Sequence, residues 1–228
     1  MTLTARGTAV MTGVRPILGV HVGLAVVGAI ALSLDPPAQG WGVVAAIVAY
    51  VVALVVVCRR SGRSDLAELA VFLFAVSVFQ VLPDWVLADV LGILRFPDAG
   101  GPRVDDVIPL AMAAMWVAPL FAAIALAGGR PGRAAAFALV IFLGSEIAAP
   151  FLGLWEPIGD TRRLLGVAIY VLPAEAALGW AAAVAFAATR RKPVAARIAA
   201  ALAVATFYLG ALVLSYFVID VAGWRVTM

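Results

Sequence analysis

Five carboxylic acids stand inside apolar runs of this chain: Asp84, Asp89, Glu146, Glu175 and Asp220. Apart from Arg197 at the very start of the last run, no basic residue shares those runs, and a charged group at the centre of a membrane helix costs roughly 2.5–3.5 kcal/mol. Acids kept at that cost are expected to face one another or a polar cavity rather than lipid. Three have a proline close by: Pro83 beside Asp84, Pro150 one turn after Glu146, and Pro173 two residues before Glu175. A proline frees backbone carbonyls and bends a helix, which is tolerated where neighbours or water satisfy them again. Ser77, Gln80 and Asp84 fall on one helical stripe, whereas Asp89 lies about 140° away and belongs to a rim. A neutral carboxylic acid in such a pocket can act as a general acid, with a second carboxylate taking up the proton. The other reading is structural, with the acids bonding across helices to hold a bundle together.

The elements that must position these groups are membrane helices. The chain has 228 residues, is 65% hydrophobic and 13% charged, and has a mean hydropathy of +1.10. That composition belongs to multi-pass membrane proteins. Apolar runs of bilayer-spanning length fall at 16–34, 41–58, 66–92, 107–128, 134–155, 166–189 and 197–222. The expectation is an all-α integral membrane protein, a single domain over 1–228 made of seven transmembrane helices. With the amino terminus inside, eleven basic residues fall on inner segments and five on outer ones. The positive-inside rule then places the amino terminus in the cytoplasm, the carboxyl terminus outside, and the protein in the cell membrane. The basic balance is thus a topology signal, and no nucleic-acid partner is expected. In this topology Asp84, Glu146, Glu175 and Asp220 reach the outer half of the bundle from four different helices.

The inner connections RRSGRSD (59–65), GGRPGR (128–133) and TRRKP (189–193) read as tight turns, whereas RFPDAGGPRVDD (95–106) and WEPIGDTRRLL (155–165) are long enough to fold over the bundle. VIPLAMAAMW (107–116) and VLPAEAALGW (171–180) match one pattern, and LGILRFPD (91–98) resembles LGLWEPIGD (152–160). Spans 3 and 4 would then correspond to spans 5 and 6 in a parallel repeat, with a site between the halves.

Among the aromatics, Trp41, Trp155 and Trp224 fall at interfaces as belt residues. Trp85, Trp116 and Trp180 lie deeper, where their faces can stabilise a cation or simply pack. Tyr216 and Asp220 close the last span beside them. His21 stands alone in the first span and reads as a hydrogen-bonded core residue. One histidine and one cysteine, Cys58, leave no thiolate–imidazole metal site; carboxylate ligation of Mg²⁺ or Ca²⁺ stays open, but no metal site and no cofactor is assigned. The single lysine, Lys192, sits in a turn, which excludes a retinal Schiff base within the bundle.

Size, seven spans and intramembrane acids together resemble the small integral-membrane terpene cyclases. The stretch from GSEIAAPFLGLWEP to GVAIYVLPAEAALGW (144–180) is similar in layout to membrane carotenoid hydratases. It lacks the G-[I/V]-P-[F/Y]-G-x-Y signature of that loop. The resemblance implies an enzyme that protonates an isoprenoid, with Glu146 the acid the layout matches, and Asp84 and Asp220 in the cyclase positions. On the residues alone, Asp84, Glu146 and Glu175 are the candidate catalytic acids. Ser77, Gln80, Trp85, Trp116, Trp180, Tyr216 and Asp220 are the candidate substrate contacts. The expected partner is a membrane lipid or another lipid-soluble small molecule. A small-molecule or proton-coupled carrier, and a membrane assembly or binding protein, stand as alternatives.

Overall fold

A computed structural model describes the backbone of residues 3–222 and the side chains of 15–222, so Trp224 and Arg225 lie outside the described residues. Helices α1 (Leu3–Leu32), α2 (Ala38–Arg60) and α3 (Ser64–Phe79) follow one another through short turns. Pro83 has no N–H to give the carbonyl of Phe79, and α3 stops there. The rod resumes as α4 (Val81–Trp85) and ends in a π-helical turn, Val86–Val90. Two shorter helices, α5 (Met112–Met115) and α6 (Val117–Ala127), are succeeded by α7 (Pro131–Ala148), α8 (Val171–Thr189) and α9 (Val194–Tyr216). A second π-helical turn, Phe217–Val221, closes α9.

The described helices thus include six long and apolar enough to cross a membrane, with Met112–Ala127 a shorter apolar one. At 1.5 Å per residue that shorter segment covers about 24 Å, less than a hydrocarbon core of about 30 Å. The seven expected runs are therefore trimmed where hydropathy alone misleads. Residues 107–111 and 166–170 are apolar, yet they form the returning strands of two small hairpins and the turns after them. These strands are β2 (Arg103–Val104) with β3 (Ile108–Pro109), and β5 (Arg163–Leu164) with β6 (Val167–Ala168), while β1 (Leu94–Arg95) pairs with β4 (Glu156–Pro157). Turn chemistry outweighs hydropathy here: Asp105 and Asp106 hold φ near +52° and +53°, and Leu165 and Gly166 +54° and +85°. Consecutive positive φ values make the turn that matches strand twist in a hairpin.

The V-x-P match also shifts. Pro109 lies in a strand and Pro173 in the first turn of α8, so those two stretches are not in register.

At the other end of the bundle the connections are short. Gly128 takes a left-handed conformation (φ +61°) that closes α6, and Pro131 opens α7. This is the usual glycine-after, proline-first asymmetry of helix ends. Helices α7 and α8 touch so closely that a Cβ at Gly179 would lie 2.4 Å from the Ala138 Cβ. His21 accepts or donates to the Tyr50 hydroxyl at 3.2 Å and bonds the Ile17 carbonyl at 3.0 Å, tying α1 to α2. Cys58 is buried with them.

Candidate functional site

The rod that Pro83 interrupts carries Asp84 into the interior, where it is 3% exposed. Trp116, the residue joining α5 to α6, donates its indole N–H to Asp84 Oδ2 at 3.2 Å. Glu146, near the end of α7, is buried in the same way and accepts the indole N–H of Trp155 on Oε1 at 3.0 Å. Glu175, in α8, is fully buried beside Glu146. Neither of its oxygens has a donor among the described residues, and the carboxyl that it faces is that of Glu146. Tyr208 of α9 faces all three acids and meets the Trp116 ring edge-on, with centroids 5.7 Å apart. A buried polar atom left without a partner costs roughly 1–3 kcal/mol, and Gln80, one turn before Asp84, leaves both its amide atoms so.

Asp84, Glu146, Trp116, Trp155, Tyr170 and Tyr208, among others, line a cavity of about 20 Å³, with Glu175 behind its wall. Roughly 10–15 Å³ holds one water, so the space suits one small polar group. Next to it lies a far larger apolar groove of about 240 Å³, walled by α1, α2, α5, α6 and α7 through Leu24, Ile47, Met115, Pro119 and Phe142. Met112, Trp116 and Trp155 line both spaces. The two tryptophans therefore present N–H groups to the acids and belong, with Met112, to the wall the polar and apolar spaces share.

Of the remaining expected contacts, Ser77 is buried and its hydroxyl reaches the Met112 carbonyl at 3.5 Å. Trp85 turns outward and donates to Asp105 Oδ2 at 3.0 Å. Trp180 is 45% exposed and packs on Phe207, away from the acids. Tyr216 meets Tyr170 edge-on at 5.4 Å, one shell out from the cavity. Asp220 accepts the backbone N–H of Arg162 at 2.6 Å, tying the second hairpin to the end of α9. Asp89 is exposed.

Three residues at the site, Trp155, Tyr170 and Tyr208, carried no sequence signal as site members. Trp155 reads as a belt residue from its place after α7. Tyr208 could have been found as a phenol in the middle of an alanine-rich apolar helix. Among the described residues, no group of three or more His, Cys, Asp or Glu side chains is arranged to hold a metal ion.

Fold and site together define an all-α, multi-pass membrane protein with a buried cluster of acids. The chain belongs to the family of the domain of unknown function DUF6989, whose model matches residues 81–219. That range runs from the turn before Asp84 to the turn that closes α9, and so contains all three acids, Trp116, Trp155 and Tyr208. No curated protein and no solved structure matches the chain.

Proposed function

We propose that the protein is an enzyme embedded in the cell membrane that acts on a lipid-soluble isoprenoid by protonation from a carboxylic acid. The observation that carries this reading is the shared wall of Met112, Trp116 and Trp155 between the acid cavity and the apolar groove. An apolar chain in the groove would stand next to a proton source that bulk water does not reach. The indole N–H only donates, so the oxygen it meets serves as acceptor and the acid proton of Glu146 belongs on Oε2. Transfer of that proton to a carbon–carbon double bond or an epoxide leaves a carboxylate and a carbocation. The ring faces of Trp116 and Phe142, whose centroids lie 5.2 Å apart, would stabilise the cation. Loss of a proton to Asp84, or addition of water, ends the reaction as cyclisation or hydration. The arginine asymmetry supports a cytoplasmic amino terminus, a topology in which the acids would lie toward the outer face.

The decisive measurement is lipid profiling by mass spectrometry of cells with and without the gene, repeated with Glu146→Gln. The expected result is loss of an isoprenoid product and accumulation of its precursor in both the deletion and the variant. An unchanged profile in both overturns catalysis. One observation favours a second reading, a proton-coupled carrier: β1 pairs antiparallel with β4 and joins the two long loops, as the halves of a repeat of the kind carriers use would meet. Uptake into vesicles that stops in Glu146→Gln, with no change of chemical structure in the transported molecule, would select it.

A further inference from the structure

The two long loops meet in a way that relates the acids. Strand β1 runs antiparallel to β4, with Arg95 opposite Glu156. Each of these residues stands three positions after a glycine of left-handed conformation, Gly92 (φ +62°) and Gly153 (φ +66°). A residue paired antiparallel with its own counterpart marks a local two-fold axis between them. The helix ends before the two glycines obey the same axis. The N–H of Ile93 bonds the Leu87 carbonyl at 3.0 Å, and that of Leu154 bonds the Ala149 carbonyl at 3.0 Å. The first loop is one residue longer, and the π-helical turn Val86–Val90 accommodates it. Counting back from the two acceptor carbonyls, Asp84 and Glu146 each stand three residues earlier. They are equivalent positions.

The hairpins extend the match. Each opens on an arginine whose guanidinium bonds a carbonyl of the loop before it, Arg103 to Phe96 at 3.1 Å and Arg163 to Gly159 at 3.0 Å. Each leads into a helix, starting at Met112 and at Val171. The fifth residue from those starts is Trp116 in one half and Glu175 in the other. Trp116 bonds Asp84; Glu175 faces Glu146. The position that gives Asp84 an N–H donor therefore gives Glu146 a second carboxyl.

We propose that the halves of this repeat have diverged in role, with Glu146 and Glu175 holding one proton between them as a donor pair and Asp84, served by Trp116, acting as the acceptor. Two carboxylates only accept hydrogen bonds, so a bond between these side chains requires one of them to carry a proton. The groups facing the pair are Asp84 from α4, Tyr208 from α9 and Tyr170 ahead of α8; among the described residues, no arginine, lysine or histidine stands against the three acids. Trp155 occupies Oε1 of Glu146 and leaves Oε2 to the proton. Glu175 is then a positioning residue that acts through Glu146. The donor and acceptor roles rest on the catalytic reading above, and the shared proton does not. In turnover the proton leaves the pair for a substrate carbon, a proton of the cation passes to Asp84, and its return past Tyr208 restores both sites with no net proton consumed.

Infrared spectroscopy of the protein reconstituted in lipid at neutral pH reads the carbonyl stretch of protonated carboxyls without any substrate. Glu146→Gln and Glu175→Gln should each shift the band of the acid that remains, and the double variant should lose it. Asp84→Asn should leave it in place. Single variants that subtract independent bands without shifting each other overturn the shared proton. Labelling of the unaltered protein with dicyclohexylcarbodiimide, which attacks protonated carboxyls in apolar surroundings, needs no variant. One adduct per chain on Glu146 or Glu175 is expected, and adducts on both, or on Asp84 instead, overturn it. A coupled band with an unchanged lipid profile would keep the pair and remove the catalytic reading; a changed profile without coupling would do the reverse.

Discussion

The two ends of the bundle are stabilised over different distances along the chain. At the end with the arginine-rich turns, the tightest polar contact is between neighbours: Arg63 clamps Asp65, two residues on, through two bonds of 3.1 Å, while the remote bond from Arg197 to the Glu68 carbonyl is a longer 3.4 Å. At the hairpin end local bonds such as Arg163 to the Gly159 carbonyl are joined by a set of remote ones: Trp85 reaches Asp105 over 20 positions, Trp116 reaches Asp84 over 32, Arg162 reaches Asp220 over 58 and Arg95 reaches Glu156 over 61. Local partners form whichever way the rest of the chain packs, and they close turns. Remote partners exist only in the assembled bundle, and they build a site. Between the ends, small residues let α7 and α8 touch and hold the frame in which the remote pairs meet.

The largest effect should come from breaking that frame. In Gly179→Leu the new Cβ would meet the Ala138 Cβ at 2.4 Å and the Ala134 carbonyl oxygen at 2.8 Å, so backbone has to move. Overpacking of this kind costs about 1–3 kcal/mol, and more where the neighbour is backbone. The expected outcome is a large loss of folded protein in detergent, read by the thermal transition. A fully stable variant would show that the α7–α8 contact does not set the position of the acids.

A smaller effect separates two chemically identical bonds. Trp155 and Trp85 each give an indole N–H to a carboxyl oxygen at 3.0 Å, one on buried Glu146 and one on exposed Asp105. In Trp155→Phe an acceptor that water does not reach loses its donor, at a cost of about 1–3 kcal/mol. In Trp85→Phe water replaces the donor, and about 0–1 kcal/mol is expected. Chemical denaturation of both variants makes the comparison. Equal losses would mean that the Glu146 carboxyl is open to solvent.

How much of this was legible in the sequence follows the same division. Helix bodies and tight turns could be read because their causes are local: apolar runs, Gly128 as a left-handed cap, Pro131 at a helix start. Asp84, Glu146 and Glu175 stood out because an acid in an apolar run has no local justification, and Trp116 because it closed a motif. Trp85 and Trp180 were equally conspicuous, but the helical face that sends one to Asp105 and the other to Phe207 depends on neighbours remote in the chain. Tyr208 and Trp155 were missed for the same reason. The hairpins were hidden because Val107–Ala111 and Gly166–Tyr170 are as apolar as a helix, and only the turn before each one marks it. The helix correspondence took its register from V-x-P, whereas LGIL and LGLW, which lead to the paired strands, hold the register of the proposed two-fold axis.

The smallest effect belongs to the pair on that axis, and it tests the axis most directly. Arg95 donates to Glu156 through Nε at 2.8 Å and through a second guanidinium nitrogen, with the two side chains 63% and 32% exposed. Exposed ion pairs contribute about 0–1 kcal/mol, so Arg95→Ala alone should barely move the thermal transition. The strand pairing beneath it and the Ile158 N–H bond to the Ile93 carbonyl at 3.0 Å keep the loops joined. The informative variant exchanges the residues, Arg95→Glu together with Glu156→Arg. Across a two-fold axis the two sites present the same backbone, so the exchanged pair should recover the stability that either single charge reversal removes. Recovery, measured as the coupling energy of a double-mutant cycle, is expected to be nearly complete. Failure to recover would show that the loops meet asymmetrically, and the equivalence of Asp84 with Glu146 would then rest on the helix ends alone.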